Sequence, residues 1–372
     1  MTKKILIVTS EFPPQPGGIG DHAYNMALHL SRASYDVTVI ADQRSIDGKE
    51  EADFDASLPF KMLRVTISTP RFKMYIRRLR FLRKAITSAG LVIASGKFSL
   101  WSVALLSRGA SCASLAVIHG SEVNFSNLLL KFSINKSLQQ FDKIIAVSQF
   151  TKSLIPTSIQ KKTVVIPNGF NSDKWNIETE IDIELKGTPK LITVGHVSER
   201  KGQHEVIKLL PKLVKRYPNI AYHCIGLPTE EKSCILLAAR LGVADHVVFH
   251  GRVNNADLKS ALEASDVFVM LSTVTTTGDV EGFGIALLEA NALGIPTIGA
   301  KGCGIEDAIK EGESGFLVTL GDEVAVEAAL NRLLSSKAKY SEMSKIWANQ
   351  HEWVVIIKKY IKEIEHFIIN SK

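Results

Sequence analysis

The alternation of short apolar runs with longer amphipathic ones, begun twice in the same order, constrains this chain more than any other feature. Residues 4–9 read KILIVT; the turn-rich SEFPPQPGGIG follows, and then a helical pattern from Asp21 to Arg32. Six mostly aliphatic residues stopped by glycine and proline describe a buried strand, not a helix. The same order restarts at Lys190 to Val194 with GHVSERKGQHE behind it. In the first half further strands are expected over 37–41, 62–65, 91–94, 114–118, 143–147 and 164–166. In the second they are expected over 222–225, 246–250, 266–271, 296–300 and 315–318. Helical patterns fall between them at 72–88, after a capping Ser148, at 230–241 and at 256–264, and a last one spans 352–369. Strands separated by helices pair in parallel through crossovers. The expected fold is therefore α/β, with two Rossmann-like doubly wound domains facing across a cleft.

A chain of 372 residues is long enough to bury two cores of ordinary size. Strand pattern lapses and polar residues dominate from Asn171 to Pro189, which places the first domain at 1–175 and the second at 186–350. Cys112, Cys224, Cys234 and Cys303 show neither metal-ligand spacing nor a disulfide framework, which fits a reducing compartment. The N-terminal MTKK leads into an apolar run of six residues, too short for a leader peptide or a membrane span, so a cytoplasmic location is expected.

The stretch DVEGFGIALLEANA, Asp279 to Ala292, carries the chemistry. A helix is expected to begin near Gly284, with Ile285, Leu288 and Ala292 on its buried face and Gly294 and Pro296 ending it. The backbone N–H groups at Phe283, Gly284 and Ile285 then lack intrahelical partners, and the helix dipole adds positive potential there, so a diphosphate is well received. Glu281 precedes that terminus and Glu289 lies within the helix. Carboxylates so placed accept hydrogen bonds from sugar hydroxyls, one from a transferred sugar and one from a ribose. An ordinary acidic residue near a helix start and a solvated helix residue are the plain alternatives.

This stretch resembles the Glu-x7-Glu motif of retaining glycosyltransferases of family 4, whose fold is GT-B, and the resemblance extends over essentially the whole chain. It implies that the second domain binds a nucleotide-sugar and the first an acceptor, with helix 352–369 crossing back to the first. Gly17 and Gly18 resemble the paired glycines that let backbone N–H groups approach the donor's phosphates and sugar; a plain turn would use them equally. His119, followed by Glu122 at the end of the 114–118 strand, resembles the family's histidine that contacts the donor sugar. PNGF, with Asn168 and Gly169, resembles the signature closing the first domain. After Gly195 the family has arginine, and a lysine five residues beyond; here His196 takes the arginine position while Lys201 and Gly202 are kept. Histidine has no permanent charge or bidentate fork, so one diphosphate anchor is weakened. Arg200 is expected to be a solvated surface residue, with compensation for that anchor as the alternative. Arg252 falls where the family's loop lines the base pocket.

No Asp-x-Asp arrangement plainly holds a divalent metal, so no metal cofactor is expected. Lys201 and the amides at 283–285 are assigned the charge of the leaving diphosphate, Glu281 and His119 the sugar, and Glu289 the ribose. Retention follows from the resemblance, with front-face attack and mannose slightly preferred as the transferred hexose.

The formal charge of +7 is unevenly spread: residues 61–162 hold 17 basic and two acidic residues. In RFKMYIRRLRFLRKAI, Phe72, Tyr75, Ile76, Leu79, Leu82 and Ile86 make an apolar side, and Arg71, Lys73, Arg77, Arg78, Arg80, Arg83 and Lys84 crowd the rest. Such a helix suits an anionic membrane surface, making the protein peripheral on the inner face, with a lipid-linked or growing surface glycan as acceptor. A solvated surface helix is the alternative. No nucleic-acid-binding motif accompanies the basic residues. The competing classes are an epimerase or phosphorylase on the same architecture, and a degenerate transferase kept as a binding protein.

Overall fold

The computed structural model describes residues 4–70, 72–177 and 183–370. It divides into two compact units: the first ends at Gly169 and is rejoined by the chain at Trp353, and the second runs from Phe170 to Glu352. The segment 170–175 thus folds with the second unit instead of closing the first. Residues 178–182 of the expected linker lie outside the described residues.

Among the described residues the first unit holds seven strands: β1 Lys4–Thr9, β2 Asp36–Asp42, β3 Lys61–Val65, β4 Leu91–Ser95, β5 Ala113–Ile118, β6 Lys143–Ala146 and β7 Thr163–Val165. Their order is β3-β2-β1-β4-β5-β6-β7, and every pair is parallel. The second unit holds β8 Lys190–Val194, β9 Ala221–Ile225, β10 Val247–Gly251, β11 Val267–Met270, β12 Thr297–Ala300 and β13 Gly315–Val318. They too are all parallel, in the order β10-β9-β8-β11-β12-β13. Both are doubly wound sheets of Rossmann type, as expected. Central strands such as LVIAS in β4 are buried throughout, because helices cover both faces of a parallel sheet. In each unit the winding reverses, between β1 and β4 and between β8 and β11. Loops leaving the carboxyl ends of those strands diverge and leave room for a ligand.

The last helix, Trp353–Asn370, packs on the helix Gly18–Arg32 of the first unit. Trp353 and Tyr360 are buried, and the Tyr360 hydroxyl lies 2.9 Å from His22 Nε2. The PNG turn delivers Gly169 against the Trp353 indole, where a Cβ would come within 2.8 Å of the ring. Only glycine permits that approach, so this glycine answers to packing.

The basic helix, Phe72–Ile86, departs from expectation in two ways. Of its apolar side only Leu82 and Ile86 are buried, while Phe72, Tyr75 and Ile76 stand exposed. Arg78, expected among the exposed basic residues that would face a membrane surface, is buried instead. Its Nε donates to Asp42 Oδ1 at 3.1 Å, and its Nη2 pairs with Oδ2. Arg71 lies outside the described residues. Burial pushes the Asp42 pKa up against the opposing pull of Arg78, so desolvation outweighs attraction there. Removing the anion would leave a guanidinium buried without its counter-charge. Asp42→Asn is therefore expected to lower stability by about 3–5 kcal/mol in denaturant titration, whereas Asp47→Asn in the exposed loop changes it by less than about 0.5 kcal/mol.

Candidate functional site

In the second unit the functional residues come from the two loops that leave the winding reversal. After β8 the chain passes through Gly195 and His196 into a short 3₁₀ turn, Glu199–Lys201, then Gly202, and then the helix Gln203–Arg216. Gly202 has φ +77°, and a Cβ there would sit 1.8 Å from the Leu271 carbonyl oxygen at the end of β11. That close approach pins the β8 loop to the β11 exit, and Thr273 reinforces it by donating from its N–H to Arg200 O at 3.1 Å.

After β11 the chain returns as Asp279-Val280-Glu281-Gly282-Phe283 into the helix Ile285–Ala292, with Gly284 as N-cap. Glu281 is buried, and Lys201 Nζ lies 2.8 Å from its Oε2. Arg200 pairs with the same oxygen through Nη1 and reaches Asp279 Oδ2 through Nε at 3.2 Å. Burial alone would push the Glu281 carboxyl up; the charges of Lys201 and then Arg200 outweigh it and hold its pKa below the ordinary glutamate value. Glu281 is an anion at neutral pH. Arg200 is no solvated surface residue: the structure corrects that expectation and makes it a full member of the cluster. The contacts with Glu281 use one of three ammonium protons on Lys201 and part of the five guanidinium donors, so both cations have further donors for a diphosphate.

His196 is exposed at the head of the same loop. Partial burial, then the charges of Arg200 and Lys201, hold its pKa below the usual histidine value, so it is neutral at pH 7. Phe283 enters the core with 1% of its surface exposed, which limits its part in any ligand contact to the backbone. The first intrahelical bond accepted by Gly284 comes from Leu287, leaving the amides at 284–286 at the helix mouth. The buried positions of this helix are Leu287, Leu288, Ala290 and Asn291; Ile285 and Ala292, expected on the buried face, are half-buried. Glu289 is bound by Lys174, whose Nζ lies 2.7 Å from Oε1. Lys174 sits on the 3₁₀ turn Ser172–Trp175, 115 positions away, a partner that sequence spacing does not reveal. Arg252 is exposed just past β10, the edge strand two places from β8.

In the first unit the reversal lies between β1 and β4. Gly17 caps the helix Gly18–Arg32, and the first N–H taken up inside that helix is that of Asp21, on Gly17 O at 2.9 Å. A Cβ on Gly17 would come within 2.6 Å of the Glu11 carboxylate, while one on Gly18 would meet open space. His119, at the end of β5, places Nε2 2.9 Å from Ser95 Oγ at the end of β4. Burial lowers its pKa to about 4, so the imidazole is neutral. Its backbone N–H donates to Glu122 Oε1, and Glu122 Oε2 is buried with no hydrogen-bond partner among the described residues. Burial pushes the Glu122 carboxyl up to about 7, against the backbone donors and Lys97 and helped by the nearby Glu11 charge.

Two family profiles match the chain, one on each unit: Glycosyltransferase Family 4 over residues 16–174 and Glycosyl transferases group 1 over residues 176–350. The chain is a family 4-like glycosyltransferase. Among relatives of this glycosyltransferase is a GDP-mannose-dependent alpha-(1-6)-phosphatidylinositol monomannoside mannosyltransferase of Mycobacterium tuberculosis, 28% identical across 94% of this chain and 93% of that one. The phosphatidyl-myo-inositol mannosyltransferase of Mycobacterium leprae is 24% identical across 94% and 93%. Among solved structures, Anabaena HepE in complex with UDP and glucose superposes with a TM-score of 0.73 at 20% identity, covering 98% of this chain and 99% of that one. Sucrose-phosphate synthase from Thermosynechococcus elongatus gives 0.75 at 18% identity, with 100% of each chain covered. These structures share the fold, GT-B.

The Glu122 carboxyl makes stability depend on pH. Folded, it keeps its proton to about pH 7; unfolded, a glutamate loses it near 4.5. Its contribution to stability is complete below the unfolded value and is lost as pH rises toward 7, by about 3 kcal/mol. Glu122→Gln keeps an oxygen for the His119 N–H and removes the titration. Its melting temperature is expected to exceed that of the wild type at about pH 8 and to match it near pH 5; parallel melting curves at both would show that Glu122 does not titrate in this way.

Proposed function

We propose that this glycosyltransferase moves a hexose, mannose, from GDP-mannose to a lipid-linked or growing surface glycan acceptor with retention at the anomeric carbon. The observation that carries it is the Glu281–Lys201–Arg200 cluster at the winding reversal of the second unit, beside the mouth of the helix Ile285–Ala292. The mannosyltransferase relatives and their lipid acceptors favour this sugar and acceptor class.

In this reading the diphosphate rests on the amides at 284–286 and takes hydrogen bonds from Lys201 and Arg200. Charge grows on the leaving phosphate oxygen as the C1–O bond lengthens, and the two cations stabilise it in place of a metal ion. The acceptor hydroxyl attacks C1 on the face the diphosphate leaves, and its proton passes to the departing phosphate oxygen. Glu281 holds the two cations and accepts from a hydroxyl of the transferred sugar; His119, neutral, has a hydrogen bond to offer a sugar hydroxyl. Glu289 accepts from the ribose, with Lys174 holding its carboxylate in place. The backbone at Gly17 and Gly18 serves the phosphates, and Arg252 the base. The protein acts in the cytoplasm, peripherally on the inner face of an anionic membrane, through the basic face of the first unit, and not on nucleic acid.

Glu281→Gln is expected to lower kcat by about 100-fold or more while GDP binding, measured calorimetrically, changes by less than about tenfold. Near-normal turnover would remove Glu281 from the mechanism. His196→Arg adds a permanent charge to the cluster and is expected to tighten GDP-mannose binding by about tenfold. Turnover of radiolabelled GDP-mannose should persist in excess EDTA, and a product of inverted configuration by NMR would overturn retention.

A further inference from the structure

The first unit exposes an apolar tip that the reading above does not use. The helix Leu128–Leu138 reads LLLKFSINKSL, with Ile134 and Leu138 buried and holding it to the core. Its first turn points the other way: Leu128 is 79% exposed, Leu129 80% and Phe132 68%. Single exposed leucines are ordinary, but several large apolar side chains within five consecutive positions mark a surface that something covers.

Its surroundings say what. Asn127 caps the helix by accepting from the N–H groups of Leu129 and Leu130, so the tip is built and held, not frayed. An aromatic ladder links it to the basic helix Phe72–Ile86. Tyr75 stacks on Phe98 with centroids 5.0 Å apart, Phe98 meets Trp101 edge-on at 5.9 Å, and Trp101 stacks on Phe125 at 6.2 Å, two residues before the cap. Lys97 Nζ lies 4.8 Å above the Phe125 ring. Between Lys97 and Phe141 the only acidic residue is Glu122, which is buried, while Lys131 and Lys136 flank the tip. Leucines at the point, tyrosine, tryptophan and phenylalanine behind them, and lysines beside both reproduce the layers of an anionic bilayer from acyl chain to headgroup. Among the described residues no helix is long and apolar enough to cross a membrane, so the surface would lie in the interface.

We propose that Leu128, Leu129 and Phe132 form a wedge that inserts into the interfacial layer of an anionic bilayer, seating the first unit on the membrane. This rests on the peripheral-membrane reading and deepens it, because it adds to the basic helix a second, more exposed apolar contact and names the side chains that make it. The helix starts where the loop from the carboxyl end of β5 arrives, so the wedge and His119 belong to one edge of the sheet. A membrane seated there is apposed to the edge at which a lipid-linked acceptor would be used.

The test uses the full chain with vesicles of phosphatidylcholine containing phosphatidylglycerol. All four native cysteines are buried, so an environment-sensitive dye on Leu129→Cys reports that position alone. Dye emission is expected to shift to the blue on vesicle binding and to be quenched by lipids brominated along their chains. Leu128→Ser/Leu129→Ser/Phe132→Ser, with unchanged circular dichroism, is expected to lose about 100-fold in partitioning. Arg77→Ala/Arg80→Ala/Arg83→Ala should instead weaken binding only at low salt. Vesicle binding by the labelled Leu129→Cys protein with its dye still in water, or undiminished binding of the triple serine variant, overturns the wedge and leaves the basic-helix reading standing. Wild-type protein that ignores anionic vesicles overturns both. A dimer in sedimentation that the serine variant abolishes assigns the tip to a second copy and overturns the proposal.

Discussion

A carboxylate taken out of water must be met by positive charge, and at Glu281 that requirement organises the second unit's ligand edge. Lys201 and Arg200 come from the loop after β8, and Glu281 from the loop after β11. The two loops are neighbours only because the strand order reverses between β8 and β11. Gly202 then lets the first loop touch the Leu271 carbonyl, so the cations are carried to the carboxylate by backbone contact. Ion pairs of this kind add little to stability once desolvation is counted. Their value here is positional: a buried anion holds two cations, with donors to spare, beside a helix mouth that favours phosphate oxygens.

The first unit uses the same sheet winding for a different end. His119 and Ser95 meet because β4 and β5 are adjacent, and Glu122 anchors the His119 peptide from below. On its flank, the pairing of Arg78 with Asp42 draws the basic helix onto the sheet at one point, while Phe72, Tyr75 and Ile76 stay outside. The apolar side of that helix therefore serves two surroundings, the core at its end and the outside at its start. The aromatic ladder continues the outer part toward Leu128–Phe132.

Strand positions were legible within a residue or two because buried parallel strands are short apolar runs with glycine at their ends. The helix Ile285–Ala292 was legible in its ends, set by Gly284 and Gly294, and in Leu288, but not in the rest of its buried face. It is covered on more than one side, so the apolar period does not point in a single direction. Arg200 and Arg78 were misplaced for a common reason. Their partners, Glu281 and Asp42, lie 81 and 36 positions away, and a long cationic side chain gives no local sign of which carboxylate it will meet. Lys174, 115 positions from Glu289, was missed in the same way. The helix Leu128–Leu138 carried a signal that went unused, an apolar triplet behind a capping asparagine.

The order of residues along the chain determined the two α/β halves, the glycine-punctuated loops and the family to which the chain belongs, since each depends on neighbours a few positions apart. Which charges are buried together, which glycines answer to packing and which apolar side chains are left outside were decided only by the tertiary structure. Those outcomes depend on distances through space between strands and helices far apart in sequence, and burial, not residue type, sets the energy of a charge or a leucine.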